Sequence, residues 1–327
     1  MPYMTANSYW GVASESGSSV SSSSNYGVAA SISTYTPIGS PKLTPTLKWL
    51  DDSDFRGSPT MHYDQVPGVR HDTFDGKTFM YSDVYPNLIR AALGGSDATA
   101  SVSAGVYSHT IGLGNYPNQG SQAPSYTIIN NSVDGNYQIT AARLVNMNLA
   151  FAADAAVETT FQFTGNAASV VASATVNEST QHLVPSWACS ASINGASVAV
   201  VESASLDIKR NAAPIFTLGQ QGPYSNFQGP IEVSGQLKFV VEAGETFYTQ
   251  SLTRSEIPVI LKFTDPATNY FVQFTMSAVQ LEDPVIDQSK AYISLDTKYI
   301  AVANTTDAIS GYSPIKAIIN NGVSTAY

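Results

Sequence analysis

The chain has 327 residues, enough for one large domain or two smaller ones, and 43% of them are hydrophobic, a normal share for a globular protein. Only 12% are charged, about half the usual ~25%, and the formal net charge is −10. This acidic balance excludes tight binding to phosphate backbones, which needs clustered Lys and Arg. The shortage of charge favours a protein whose surface is buried in an assembly.

Cysteine content and hydropathy narrow the class further. The single cysteine, Cys189, has no partner for an internal disulfide and is expected to be a small buried hydrophobe. The N-terminus shows neither the basic region nor the apolar run of a signal peptide. No stretch approaches the ~20 apolar residues of a membrane span, so no membrane partner is expected.

Residues 1–47 are predicted to form an N-terminal arm. Residues 14–25 are almost all small, and such a stretch buries too little apolar area to fix itself. Two interpretations stay open: a flexible tail, or an arm that docks on a neighbouring subunit. Aromatic anchors that a pure linker would not need favour docking. The predicted inter-subunit arm residues are Tyr3, Tyr9, Trp10, Tyr26 and Tyr35.

Residues 48–327 are predicted to form a single β domain. Residues 46–81 are expected to be strands, with turns at 51–53 and 74–77. A helix follows, capped by Ser82 or Asp83 and ended by Gly94. The segment 94–125 is rich in Gly, Ser, Asn and Pro. It is therefore predicted to be a long loop with one inserted strand at 106–111.

The second half of the chain is predicted to be mostly strands. A tight turn at 193–196 indicates a hairpin. Further expected elements are a short helix within 246–256, a hairpin of 259–263 with 270–281, and strands at 290–295 and 313–319.

Two stretches read as one unit written twice, each a pair of strands with one apolar and one polar face. The first comprises residues 144–151 and 157–164, and the second residues 204–210 and 231–241. Successive side chains of a strand point to opposite faces, so one face packs and the other meets water. A smooth polar face without a catalytic cluster suits a structural surface. An ordinary sandwich with solvent-facing sheets is the alternative.

Chemistry-bearing motifs are missing from the sequence. The four histidines, His62, His71, His109 and His182, lack metal-ligand spacing and are predicted to be surface or structural residues. Nucleophile-elbow, phosphate-loop, zinc-protease and paired-cysteine motifs do not occur. We therefore expect no catalytic residues, no metal, no cofactor and no enzymatic activity.

The order of features resembles the major tail tube proteins of long-tailed, non-contractile bacteriophages (siphophages). The resembling segments run through most of the chain: residues 10–17, 54–58, 85–94, 108–112, the two strand pairs, the segment around Trp187, 234–237 and 274–281.

The resemblance implies a mainly-β tail-tube fold, a β-sandwich or barrel-like structure with one or two short helices. Hexameric, six-fold rings would stack into a helical tube that conducts DNA during ejection. The duplicated sheet units, residues 144–151, 156–164, 203–210 and 231–242, would form part of an inner β-barrel. The predicted lumen-facing residues are Asn146, Asn148, Glu158, Thr160, Gln162, Ser205, Asp207, Lys209, Glu232, Ser234, Gln236 and Lys238.

The expected lumen is slightly acidic, because Glu158, Asp207, Glu232 and Glu242 outnumber Lys209 and Lys238. Such a wall repels DNA phosphates and offers no cationic grip. The arm and the 94–125 segment are expected to bridge stacked rings.

The resemblance also implies partners and a location. The chain would assemble with itself, around a tape measure protein in the lumen, and with tail terminator and distal tail or tip proteins. Genomic DNA would pass without specific binding. The location would be the virion tail, after assembly in the host cytoplasm. The alternatives are another self-assembling β protein, pilus-like or capsid-decorating, and a carbohydrate-binding β-sandwich suggested by 18 Tyr and 3 Trp.

Overall fold

The computed structural model describes residues 8–15, 26–54, 56–115, 122–132, 134–172, 177–198, 200–241 and 247–327. Within these residues the chain is mainly β, as predicted, with two short α-helices. Among them, neither helix has the length and apolar character that a membrane crossing requires.

The first half contains β1 (Tyr9–Ser14), β2 (Thr36–Pro37), β3 (Gly39–Asp52), β4 (Asp64–Phe79), α1 (Tyr85–Leu93), β5 (Gly94–Ser103), β6 (Val106–Leu113), β7 (Tyr126–Ser132), β8 (Gly135–Ala152), β9 (Glu158–Gly165) and β10 (Ser169–Val171). The second half contains a 3₁₀ turn (Ser186–Ala188), β11 (Cys189–Ile193), β12 (Ala196–Val198), β13 (Val201–Lys209), β14 (Ala213–Ile215), β15 (Ser225–Phe227), β16 (Glu232–Val240), α2 (Phe247–Thr253), β17 (Ile257–Thr264), β18 (Phe271–Asp287), β19 (Ser294–Ala301) and β20 (Lys316–Asn321).

Eight antiparallel strands follow one another in one sheet, called here the inner sheet. Their order is β3, β4, β9, β8, β13, β16, β19 and β18. The long strands β8 and β18 each leave this sheet partway, and their first halves pair with β7 and β17 in outer layers. Outer strands β1 and β11 pair in turn with β7 and β17. Among the described residues, the inner sheet does not close on itself.

One hydrophobic core lies between the inner sheet and the outer strands. It includes Phe74, Phe161, Leu206 and Phe239, all at most 3% exposed. Helix α1 packs against β1, β5, β6 and β8, and α2 packs against β18. The inner sheet thus buries one face and leaves the other uncovered within the subunit.

Helix α1 begins and ends partly as predicted. Pro86 lies in its first turn, where its missing N–H costs nothing. Gly94 ends the helix with φ 74°, a conformation that a residue without Cβ adopts without strain. The predicted cap by Ser82 or Asp83 is wrong, because the N-cap is Val84, without a side-chain hydrogen bond.

Three predictions for the first half are wrong. The boundary between residues 47 and 48 falls inside β3, and the expected turn at 74–77 lies within β4. Gly76 and Thr78 occupy inward positions there, and this hid the strand's alternation. The strand predicted at 106–111 is confirmed as β6, but residues 94–103 before it are a strand and not a loop. The two strands form the β5–β6 hairpin, turned at Gly105 with φ 74°.

Most predictions for the second half agree with the structure. Asn194 and Gly195 have φ 53° and 78°, the conformation of the predicted hairpin turn. Helix α2 and the β17–β18 hairpin are confirmed. The strand predicted at 290–295 is misplaced, since β19 runs over Ser294–Ala301, and the strand predicted at 313–319 begins later, as β20.

The two stretches read as one duplicated unit are neighbours in the sheet but are not copies of each other. In the sheet β9 and β8 stand next to β13 and β16. By connectivity β8–β9 matches β18–β19, whereas β13–β16 matches β3–β4. The stretches alternate alike because both border the same core.

Candidate functional site

The four strands predicted to line a lumen lie side by side in the inner sheet. Thr160, Asn148, Asp207 and Ser234 stand opposite one another in one row across β9, β8, β13 and β16. The next row contains Gln162, Asn146, Lys209 and Glu232. Because rows two residues apart share a face of a sheet, these residues form one continuous surface, called here the polar face.

Burial separates the polar face from the core. All twelve predicted lumen residues are exposed or half-buried in the isolated subunit. Their apolar neighbours along the same strands, Met147, Leu149, Leu206 and Leu237, are at most 1% exposed. The prediction that these side chains share one face is therefore confirmed. That the face lines a lumen stays a prediction.

The carboxylates of the polar face are partnered within the subunit. Glu158 forms an ion pair with Lys77, and Glu232 forms one with Lys209 at 3.5 Å. Asp207 accepts a hydrogen bond from Asn148. The partners are partly exposed, so each pair is worth little in stability. Because the charges in these pairs neutralise each other, the polar face carries no strong local electrostatic field.

The polar face is wider than the sequence analysis predicted, because β4 and β19 extend it on both sides. Asp75 accepts a hydrogen bond from Gln162 at 2.7 Å, and Asp296 accepts one from Gln236 at 2.6 Å. The added charged residues are Asp75, Lys77, Asp296 and Lys298. Alternation over residues 73–77 was the available signal, and it was misread as a turn.

The extended face is nearly neutral. Among the described residues it has five carboxylates and four ammonium groups. The carboxylates are Asp75, Glu158, Asp207, Glu232 and Asp296, and the ammonium groups are Lys77, Lys209, Lys238 and Lys298. Glu242, which also entered the predicted lumen charge, lies outside the described residues.

Trp10 and Tyr35, two of the predicted arm residues, lie in the core of their own subunit. Trp10 is 2% exposed and stacks on Phe161 with ring centroids 4.5 Å apart. Tyr35 is 1% exposed and meets Tyr9 edge to face at 5.1 Å. Neither is free to bind a neighbouring subunit, because β1 completes the outer layer beside β7. The inter-subunit prediction is therefore wrong for both.

The rest of the arm is also anchored locally. Tyr26 is half-buried, and its hydroxyl accepts a hydrogen bond from the Asn226 amide at 2.6 Å. Glu15 is 3% exposed and accepts hydrogen bonds from the Thr127 hydroxyl and the Ala141 amide, both at 2.9 Å. Tyr3 lies outside the described residues.

The side chains that metal sites and nucleophilic chemistry use are dispersed or buried in the described part of the chain. No group of three or more His, Cys, Asp or Glu side chains within it is placed to hold a metal ion. His109 is buried, and its neighbours are structural hydrogen-bond acceptors. Burial raises the pKa of the Cys189 thiol to about 12, which leaves it unreactive at neutral pH.

Comparison with known proteins identifies one family. A family model described as "Phage tail tube protein" matches residues 6–310, which is nearly the whole chain. None of the curated proteins matches the chain.

Proposed function

The chain belongs to the phage tail tube protein family, and from this premise we propose that it polymerises as stacked six-fold rings whose bore is lined by the polar face. The family makes it a structural component of the virion tail that assembles into a tube. The rings, the orientation of the subunit and the passage of DNA are the proposal. The carrying observation is one continuous polar face on a sheet whose opposite face forms the core.

Sheet geometry supports placing the polar face on the inside of a tube. Among the described residues, the inner sheet ends in strands that have no partner on one side, β3 and the second half of β18. Free sheet edges promote aggregation unless they are covered, and closing a sheet into a barrel removes them. A ring of subunits would accomplish that closure.

Charge on the polar face supports a DNA conduit. The ammonium groups of Lys77 and Lys209 face carboxylates, so DNA phosphates would find few free cations. A wall of this kind neither holds the duplex nor builds a strong repulsive field. DNA would then slide through without specific binding during ejection.

The remaining partners follow from the tube. A tape measure protein would occupy the lumen during assembly in the host cytoplasm. Tail terminator and distal tail proteins would close the two ends, as in siphophages, whose tails do not contract.

Contacts between stacked rings would come from parts of the subunit that project from the sheets. The β5–β6 hairpin and the N-terminal residues keep this predicted role. The tip of the β3–β4 hairpin is a further contributor, because Trp49, Leu50 and Val66 are each at least 50% exposed there. A contiguous patch of exposed apolar residues marks a surface that is covered in an assembly.

Reversing charge on the polar face tests the conduit. In Glu158→Lys/Glu232→Lys, each new ammonium group joins an existing one, Lys77 or Lys209. We expect tubes of normal appearance and a drop of about tenfold or more in plaque titre, because each ring gains a cationic belt that holds phosphates. Infection of a strain that supplies the variant to a phage lacking its own tube protein measures this.

A matched control carries the same charge change elsewhere. Asp134 and Glu256 are exposed residues directly before β8 and β17, and both strands begin in the outer layers. Asp134→Lys/Glu256→Lys should form tubes and infect normally. Normal infectivity of the polar-face variant would argue against its place in the bore.

A further inference from the structure

The two halves of the chain repeat one structural unit. In the first half β1, β3, β4, α1, β7, β8 and β9 follow in order, and in the second β11, β13, β16, α2, β17, β18 and β19 do. The pairings match as well: β4 with β9 corresponds to β16 with β19, and β1 with β7 corresponds to β11 with β17. Each unit contributes four strands to the inner sheet.

A shared contact between glycine and an aromatic ring aligns the two units residue by residue. Gly76 is paired with Phe161, and Gly235 is paired with Tyr299. In both units a Cβ on the glycine would come within 2.6 Å of the aromatic ring. The ring therefore covers the glycine in the same way twice.

Contacts between helix and sheet confirm the alignment. Two residues before each aromatic ring lies a buried threonine, Thr159 or Thr297. The Tyr85 hydroxyl of α1 lies 2.8 Å from the Thr159 hydroxyl, and the Ser251 hydroxyl of α2 lies 3.5 Å from that of Thr297. Each unit thus has its own helix, set on its sheet at the same place.

The junction of the two units is a strand pairing. The last inner strand of the first unit, β8, runs antiparallel to the first inner strand of the second, β13. Asn148 stands opposite Asp207 and donates a hydrogen bond to it. On the core side, Met147 stands opposite Ile208.

The corresponding strands at the ends of the inner sheet have no such partner. Among the described residues β3 pairs only with β4, and β18 beyond residue 279 pairs only with β19. Pro41 and Pro45 in β3 are residues that sheets tolerate at edges. Val285 and Ile286 on the β18 edge are 59% and 48% exposed.

We propose that the β18 edge of one copy pairs with the β3 edge of the next and repeats the β8–β13 junction, so that three chains form one ring of six units. This rests on the proposed tube function and names its lateral contact. The edges differ, so the contact is head-to-tail, and such a contact gives a closed ring when the rotation between successive copies divides a full turn. The rings would then be trimeric, with six-fold symmetry only between units.

The alignment predicts which side chains meet. Asp75 and Ser234 are equivalent in the two units, because each directly precedes an aligned glycine. Lys42 is paired with Asp75, and Asp207 is paired with Ser234. Lys42 therefore occupies the place of Asp207 at the junction.

The same reasoning assigns the other side of the contact. Lys298 and Thr160 are equivalent in the two units, because each directly precedes an aligned aromatic residue. Glu282 is paired with Lys298, and Asn148 is paired with Thr160. Glu282 therefore occupies the place of Asn148.

Lys42 of one copy would face Glu282 of the next, and opposite charges on facing strand positions attract. One position along, Leu43 would face Leu281 on the core side, as Ile208 faces Met147. Polar side chains of one edge thus face polar side chains of the other, and apolar side chains face apolar ones. An arbitrary pairing of two edges would not give this match.

Disulfide trapping in assembled tubes tests both the contact and the copy number. Positions 42 and 282 lie on opposite end strands of the eight-stranded sheet, about 30 Å apart along it, so a bond between them has to join two copies. We expect Lys42→Cys/Glu282→Cys, treated with an added oxidant, to give a non-reducing gel ladder that stops at three chains.

Two controls fix the register. Each single variant should stay uncross-linked, because the native Cys189 is half-buried and its raised pKa keeps the thiol protonated. Lys42→Cys/Asp287→Cys should also fail, since residue 287 lies five positions along the same edge.

The outcomes separate this inference from the function. Tubes without cross-links would overturn the strand assignment, and a ladder ending at six chains would overturn the two-unit count, while both leave the tube intact. Electron microscopy of wild-type tubes gives a second reading of three chains per ring. If the wild-type protein forms no tubes under any condition, the function fails and the inference fails with it.

Discussion

At the scale of single residues, the most constrained charge is a buried ion pair far from the polar face. His109 Nδ1 lies 2.7 Å from Asp97 Oδ2, and both side chains are fully buried. Nε2 faces two more acceptors, the Val323 carbonyl at 2.9 Å and the Asn321 side-chain oxygen at 3.1 Å. Both ring nitrogens therefore face acceptors, an arrangement that favours the protonated imidazole.

The pKa values of this pair move in opposite directions. Burial opposes the charge on His109, but its hydrogen bond and charge interaction with Asp97 outweigh burial and raise its pKa. Burial likewise opposes the charge on Asp97, but the hydrogen bonds from His109 and the Tyr327 backbone amide outweigh burial and lower the pKa of Asp97. The pair ties β5 and β6 to the end of the chain.

We predict that Asp97→Asn destabilises the protein most below neutral pH. Because the pKa of His109 is higher in the folded state than its unfolded value of 6.5, protonation of this residue stabilises the fold. This stabilisation is complete below pH 6.5 and is lost as the pH rises through the folded-state pKa. Breaking a buried pair costs about 3–5 kcal/mol. Urea unfolding at pH 6 and pH 9 measures the difference, which should shrink at pH 9. An unchanged difference would show that His109 is neutral, and exposed Asp134→Asn serves as control.

At the scale of elements, each of the two units needs a glycine in its inner strands, because neighbouring atoms leave no room for a side chain. A Cβ at Gly235 would come within 2.2 Å of the Ser205 carbonyl oxygen. At Gly76 it would come within 2.9 Å of Ile38. Neither glycine has positive φ, so the requirement is space and not backbone freedom.

We predict that Gly76→Ala and Gly235→Ala each lower the free energy of unfolding by about 1–3 kcal/mol, because overpacking forces the covering strand to shift. Gly235→Ala should cost more, since it meets backbone as well as a ring. Gly222→Ala, with open space around it, should change stability little. Denaturant unfolding checks all three variants, and equal costs at positions 76 and 222 would contradict the alignment of the two units.

Element prediction from sequence succeeded where alternation was unbroken. The strands and their exposed side chains were right for residues 144–151, 157–164, 204–210 and 231–241. It failed where the core position held a small or polar residue, as at Gly76 and Thr78 in β4. It failed again at 94–103, because a strand of small residues reads as a loop when its hairpin partner β6 is held in the sheet by β20, more than two hundred residues away.

At the scale of the whole molecule, the inner sheet is complete on one side only. Its core face is complete within one chain, yet its polar face and its two end strands are left open. Sequence reasoning identified the polar face and missed the repeat, because the two units share a topology and little sequence. Only strand pairing reveals that β3–β4 corresponds to β13–β16.

Electron microscopy of assembled tubes, at a resolution that traces the inner strands, tests the central claim most directly. We predict a hollow tube in which Asn148, Asp207 and the other residues of the polar face line the bore, with helices α1 and α2 farther from the axis. Tubes whose polar face lies on the outer surface, or is buried between subunits, would contradict the account.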